Sequence, residues 1–219
     1  RSTLFPYTTL FRSALAWTDD TSMALCIAAS LVETGAYDPR DQLARFVRWY
    51  RDGYLSSTGR CFDIGNQTLT ALEEFAVTGE PYRKTAGAMS AGNGSLMRLA
   101  PVAMAFCDDP EAAAQFSADS SRTTHPAVEC VEACGAYGRL IAAAIEGASH
   151  TELYVLAADL AEQVTSPELA TILRGSYRVK ERDEISSSGY VLHSLEAALW
   201  AFAGTDDFLD GALLAVNLG

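Results

Sequence analysis

Nowhere in the 219 residues does the chain hold the roughly 18 to 20 uninterrupted apolar residues that a bilayer-spanning helix needs. No secretory signal is legible either, so the expectation is a soluble, cytoplasmic protein. Cations are scarce: 16 Lys and Arg face 28 Asp and Glu, a formal charge of -12. Nucleic acid and anionic membranes attract clustered basic residues, so neither is expected as a partner. Any anionic ligand must then be held by a local device. Five cysteines, Cys26, Cys61, Cys107, Cys130 and Cys134, are an odd number with no CxxC pair, which argues against a disulfide framework and a zinc knuckle. Cys130 and Cys134 fall four apart on one helical face and read as small core residues. Strand signals are nearly absent, and neither an internal repeat nor a linker is visible.

What the chain does have is helical period. With 49% apolar and 20% charged residues it reads as one ordinary globular domain with a full core. Apolar residues recur at helical spacing in Ala24, Leu25, Ala28, Leu31 and Val32, and again in Leu43, Phe46, Val47 and Tyr50. Further helices are predicted near Gln67 to Val77, Ser95 to Phe106, Pro110 to Ser120, Pro126 to Glu146, Thr151 to Val164, Tyr190 to Ala203 and Asp206 to Val216. Small residues such as Ala133 and Gly135 let helix axes approach, so the expectation is an all-α, orthogonal multi-helix bundle. Chemistry is expected in the interruptions at Gly59 to Gly65, Thr85 to Gly94, Ser121 to Pro126 and Ser186 to Gly189. Arg1 to Ser13 stands apart from the Ala-rich remainder. From Thr3 onward it resembles the conceptual translation of a sequencing-library adapter, so residues 1–13 are expected to be an artefactual tail and 14–219 the domain.

Five short strings carry candidate chemistry, and each has a plain structural alternative. Thr18-Asp19-Asp20 opens a helix. A threonine cap followed by acids is favoured by the helix dipole, at about 0.3 to 1 kcal/mol per acid, yet hydroxyl and carboxylate oxygens on one rigid turn also suit Mg²⁺. Asp63 precedes a glycine turn and a helix beginning near Asn66, where a cap is again the plain reading. Gly92-Asn93-Gly94-Ser95 is a glycine-rich turn whose free N–H groups, with Arg98, suit an anion. His125 precedes Pro126, expected in the first turn of a helix, and a lone histidine is more often structural. Tyr190, after Gly189, either stacks on a base or packs.

Taken in order, WTDDTSMAL, CFDIGNQT, AGNGSLMR, TTHP, SGYVLHSLEAALWAF and AVNLG resemble the ADP-ribosylglycohydrolase family from Trp17 to Gly219. The resemblance implies an all-helical fold around a pair of divalent ions, Mg²⁺ or Mn²⁺. It implies Thr18, Asp19 and Asp20 as metal ligands and Asp63 as an acid that orients ribose and assists catalysis. Asn66, the Gly92, Asn93, Gly94 and Ser95 turn, His125, Gly189 and Tyr190 match positions that contact the ADP-ribosyl group. Arg98 joins that set, although its motif does not say whether it touches ligand or braces the turn. The implied reaction is hydrolysis of a glycosidic bond to ADP-ribose carried by a protein or a small-molecule acceptor.

The departures from the family pattern matter as much. A Gly-Asp-Ala-type helix and an acid upstream of WTDDT are not found, nor is a Gly-x-Asp-x-Asp-Thr motif after AVNLG. The expectation is therefore a domain incomplete at both ends and impaired as a hydrolase. Two alternatives remain: a non-catalytic protein on the same scaffold, as in certain eye-lens crystallins, and a hydrolase of another ribosyl or nucleotide substrate. Unpaired carboxylates held together at Asp19, Asp20 and Asp63 speak against the first, because their repulsion calls for a cation.

Overall fold

The computed structural model describes residues 16–83 and 91–218. The tail at 1–13 and part of the loop before Gly92 lie outside them. Among the described residues there are ten α-helices and no strand. In chain order they are α1 (Asp19–Thr34), α2 (Pro39–Asp52), α3 (Asn66–Thr78), α4 (Ala100–Ala105), α5 (Pro110–Arg122), α6 (Val128–Ile145), α7 (His150–Ala161), α8 (Pro167–Leu173), α9 (Val191–Ala203) and α10 (Phe208–Val216). Short 3₁₀ turns at Ser176–Val179 and Arg182–Glu184 lead into α9. The all-α bundle expected from periodicity is what the chain forms. None of these helices is long and apolar enough to cross a membrane.

Local signals start most of them. Asp38, Asp109 and Ser166 each sit at an N-cap, accept hydrogen bonds from first-turn amides and are followed by proline at the first helical position, where the missing N–H is no loss. Ser149 and Glu152 close a reciprocal capping box on α7. The Ser166-Pro167 start resembles the other two, but α8 has only seven residues, too few for a helical period to stand out in the sequence.

Two expected boundaries are corrected. The helix expected from Ser95 begins at Ala100, because Pro101 has no amide to bond the Met97 carbonyl and its ring would crowd that oxygen. The residues before it form turns instead, held by Met97 N–H to Asn93 O at 3.0 Å. Pro126 does not enter a helix: Ala127 is the N-cap and α6 starts at Val128.

The core has two parts joined by α4. Met23, Ile27, Leu43, Phe46, Trp49 and Leu72 from α1, α2 and α3 close around Val102. Ala103, one residue on, faces the larger cluster with Cys130, Cys134, Leu169, Leu173, Leu192 and Leu195. Each fully buried aliphatic contributes about 1.5 to 3 kcal/mol of burial free energy. Helices α5 and α6 meet through small residues. A Cβ on Gly138 would lie 2.2 Å from Ser117 Oγ and 3.1 Å from the Ala113 carbonyl, so Gly138, more than the Gly135 singled out above, permits that close approach. This packing brings together the N-termini of α1 and α3, the turn before α4 and the turn between α5 and α6.

Candidate active site

The first side chains arrive with α1. Ser57 Oγ donates to the Trp17 carbonyl at 2.6 Å and Trp17 Nε1 donates to the Leu55 carbonyl at 3.3 Å, which fixes the entry of the chain. Thr18 occupies the N-cap in an extended conformation, yet its side chain makes no capping bond. Its hydroxyl instead donates to Asp20 Oδ2 at 3.0 Å. The hydroxyl and carboxylate are therefore turned to each other, and the plain cap reading does not describe Thr18. Burial, then the charge and hydrogen bonding of Asp20, then Asp63, push the Asp19 carboxyl up to about 8. Carboxylates crowded without a cationic partner are what a bound cation would relieve.

Asp63 comes from the loop ahead of α3 and adopts a left-handed backbone conformation, φ +63°, which few non-glycine residues enter and which Asp tolerates better than most. Such strain gathers at functional sites. Helix α3 then has Gly65 at its N-cap, with no side chain to cap it, and its first turn holds no acid, so its opening amides remain available to an anion.

The third component is the glycine-rich turn. An isolated antiparallel bridge pairs Gly92 with Tyr190, with Asn93 N–H donating to the Gly189 carbonyl at 3.0 Å and Val191 N–H to the Ala91 carbonyl at 2.9 Å. Asn93 Nδ2 also donates to Ser194 Oγ at 2.9 Å, which ties the turn to α9. His125 is buried, with 3% exposure, and its ring lies against the turn. A Cβ on Gly94 would fall 2.8 Å from His125 Cε1 and 2.9 Å from Nε2, so glycine is required there by contact. Burial first, then the positive charges of Arg98 and Arg83, push the His125 imidazole down to about 3, leaving it neutral at ordinary pH.

One cleft of about 390 Å³ collects most of these groups: Asp19, Asp20, Asp63, Asn66, Gly92, Asn93, Gly94 and His125 all line it. Gly65, Gln67, Thr68 and Met97 complete the wall. Those four were not singled out from the sequence, although they fall inside the CFDIGNQT and AGNGSLMR strings. Their signal was adjacency to the residues singled out, which does not say which neighbours face a cavity. A smaller cavity of about 150 Å³ near α6, α7 and α9 has no carboxylate or histidine on its wall.

Five expected site residues are not on the cleft wall. Thr18 stands just behind it, on Asp20. Ser95 is buried beneath the turn, bonded to Ser121 Oγ at 2.9 Å and approached by the Cys134 thiol. Arg98, expected to face an anion, is wholly buried. Its Nη2 donates to Ser120 O, Thr123 Oγ1 and Thr124 Oγ1 at 3.2, 3.2 and 2.7 Å, and its guanidinium lies over Phe46, 4.7 Å from the ring centroid. It braces the turn from below. Gly189 and Tyr190 reach the glycine-rich turn through backbone pairing, while the Tyr190 hydroxyl donates to Glu168 at 3.1 Å and its ring stands edge-on to His193. Among the described residues, no three His, Cys, Asp or Glu side chains converge closely enough to enclose a metal ion by themselves.

Comparison with known proteins gives the arrangement a context. The family model described as ADP-ribosylglycohydrolase matches residues 3–219. The ADP-ribosylarginine hydrolase Tri1 of Pseudomonas putida (strain GB-1) is 43% identical over 204 residues, covering 92% of this chain and 53% of that protein. Its namesake in Serratia proteamaculans (strain 568) is 40% identical, with 93% and 54% covered. The ADP-ribosyl-[dinitrogen reductase] glycohydrolase of Rhodospirillum rubrum is 26% identical over 92% of this chain and 62% of its own length. A solved chain from an ADP-ribosylglycohydrolase-related protein complex superposes with a TM-score of 0.77 at 39% identity, covering 93% of this chain and 65% of that one. The chain spans about half the length of the Tri1 hydrolases it matches. Because the family match runs over nearly the whole chain and the fold agrees with it, the chain belongs to the ADP-ribosylglycohydrolase family.

Proposed function

We propose that this chain carries the Thr18, Asp19 and Asp20 half of a two-cation site in an enzyme that hydrolyses the glycosidic bond between ADP-ribose and its acceptor. Arginine on a protein or small molecule is the acceptor that the names of the two Tri1 relatives support. The observation that carries this reading is the convergence of Asp19, Asp20 and Asp63 with the Gly92 to Gly94 turn and His125 on one cleft. The donor set fits Mg²⁺, with Mn²⁺ the closest substitute, because a hydroxyl and two carboxylates on one rigid turn are hard oxygen ligands whose repulsion a cation offsets. When bound, such ions supply charge that orients ribose hydroxyls and water at the anomeric carbon.

The chain's own groups do the rest. As the bond from the anomeric carbon to the acceptor lengthens, positive charge grows on the sugar, and Asp63 is the carboxylate we assign to stabilise it and orient the ribose. Water then bonds to the anomeric carbon, its proton leaves to a carboxylate, and the departing acceptor atom takes up a proton. The acidic chain holds the pyrophosphate locally, through the uncapped first turn of α3 and the backbone of the glycine-rich turn. With no complete metal cluster among the described residues, turnover by the 219 residues alone is expected to be weak. Calorimetric titration of the chain with ADP-ribose, with and without Mg²⁺, tests the reading. We expect binding that Mg²⁺ strengthens. Equal heats from ADP-ribose and from a nucleotide without the second ribose would overturn it.

A further inference from the structure

We propose that Arg98 is a positioning residue which, through the Thr124 hydroxyl, fixes His125 as its Nε2–H tautomer and so presents a constant hydrogen-bond donor to an oxygen acceptor in the cleft. A guanidinium has hydrogens and no lone pair, so at 2.7 Å Arg98 Nη2 must donate and Thr124 Oγ1 must accept. Thr124 has no solvent exposure, so its own hydroxyl proton needs an acceptor inside the protein. Among the described residues the one within reach is His125 Nδ1, also at 2.7 Å. If Nδ1 carried the proton instead, the Thr124 hydrogen would be buried with nowhere to go. The arrangement that satisfies every group has Thr124 donating to a bare Nδ1, which leaves the proton on Nε2. That nitrogen lies beside Gly92 and Gly94 on the cleft wall, and no described residue accepts from it.

As a stabilising device, Arg98 is a poor choice. It forms no ion pair among the described residues, its Nε has no hydrogen-bond partner, and burial pulls its guanidinium down to about 10. An apolar side chain would fill the same space without an uncompensated charge. Its charge does, however, add to burial in keeping the imidazole neutral, and a neutral ring with a preset tautomer binds an oxygen acceptor without reorganising. The ligand named for that donor rests on the ADP-ribose reading above; the tautomer does not.

The test uses the ¹⁵N-labelled 219-residue chain. Its three histidines, His125, His150 and His193, are few enough to assign with His125→Gln, and long-range ¹H–¹⁵N spectra separate the two tautomers from the cation. We expect the Nε2–H pattern at neutral pH. Thr124→Ser should keep it, and Thr124→Val should lose it while weakening ADP-ribose binding about tenfold. A wild-type Nδ1–H pattern, a cationic ring, or an unchanged pattern in Thr124→Val overturns the relay. The wild-type spectrum decides by itself should the valine variant fail to fold. If the Nε2–H signal is present but does not move with ADP-ribose, the relay is upheld and the ADP-ribose reading of the cleft is overturned.

Discussion

Helices α1 and α2 both open with a capping-type residue and acids in the first turn, and use them in opposite ways. At α2 the N-cap Asp38 accepts from the Arg40 and Asp41 amides at 2.9 and 3.1 Å. Asp41 in turn holds the buried Arg45, with Nε donating to Oδ2 at 2.6 Å, and Glu33 takes the other edge of that guanidinium. Burial pushes the Asp41 carboxyl up, but the hydrogen bonds and the charge of Arg45 outweigh it and hold it below its usual range. At α1 the N-cap Thr18 caps nothing, Asp19 and Asp20 repel, and Asp19 is held far above its usual range. The acid of α2 is paired and easily ionised, whereas those of α1 are crowded and make no ion pair among the described residues.

Breaking the α1 side should have the largest effect. Asp19→Asn or Asp20→Asn is expected to weaken Mn²⁺ binding by at least about hundredfold, read by calorimetry or electron paramagnetic resonance, because each variant removes a charged ligand. The same variants should melt no lower than the parent without added metal, since repulsion is relieved. A drop in melting temperature with unchanged Mn²⁺ affinity would reverse the assignment. On the α2 side, Arg45→Met should lower stability in urea unfolding by no more than about 1 kcal/mol, because Asp41, which loses its partner, is partly solvated, and should leave Mn²⁺ affinity as it was.

The two caps give a finer contrast. Asp38→Ala removes two bonds to first-turn amides and is expected to cost about 1 kcal/mol, whereas Thr18→Val removes none and should change stability by less than about 0.5 kcal/mol while reducing metal affinity. The smallest effect concerns acid unfolding. A carboxyl held low in the folded state stabilises the fold above its unfolded pKa, and that stabilisation is lost as the pH falls through the folded value. Asp41→Asn should therefore flatten the acid limb of the stability curve, and an unchanged slope would mean that the Asp41 to Arg45 pair is not formed in solution.

Much of this was legible residue by residue. The proline that opens the helix at Pro110 and the period of Leu43, Phe46 and Val47 mark helices because both signals act within one or two turns. The helix read as starting at Ser95 begins at Ala100, since the glycine-rich string runs on in turns until Pro101 can take a first-turn position. The roles of Ser95 and Arg98 were not legible. Both belong to a string that touches the cleft, yet both point beneath it, and a turn without a regular period gives no rule for which way each side chain faces.

The sequence by itself determined that the chain is helical, where most helices begin, and which strings place it in its family. It does so because caps, proline and apolar period are local interactions. Only the tertiary structure decided that Asp19 and Asp20 would meet Asp63 and His125, residues far apart in the chain, at the rim of one cleft. It also decided that Arg98 would lie under that rim, wholly buried and tied to Thr124, while Thr124 bonds His125. Those outcomes depend on how α1, α3, α4 and α6 pack, and packing is set by the shape of the whole core.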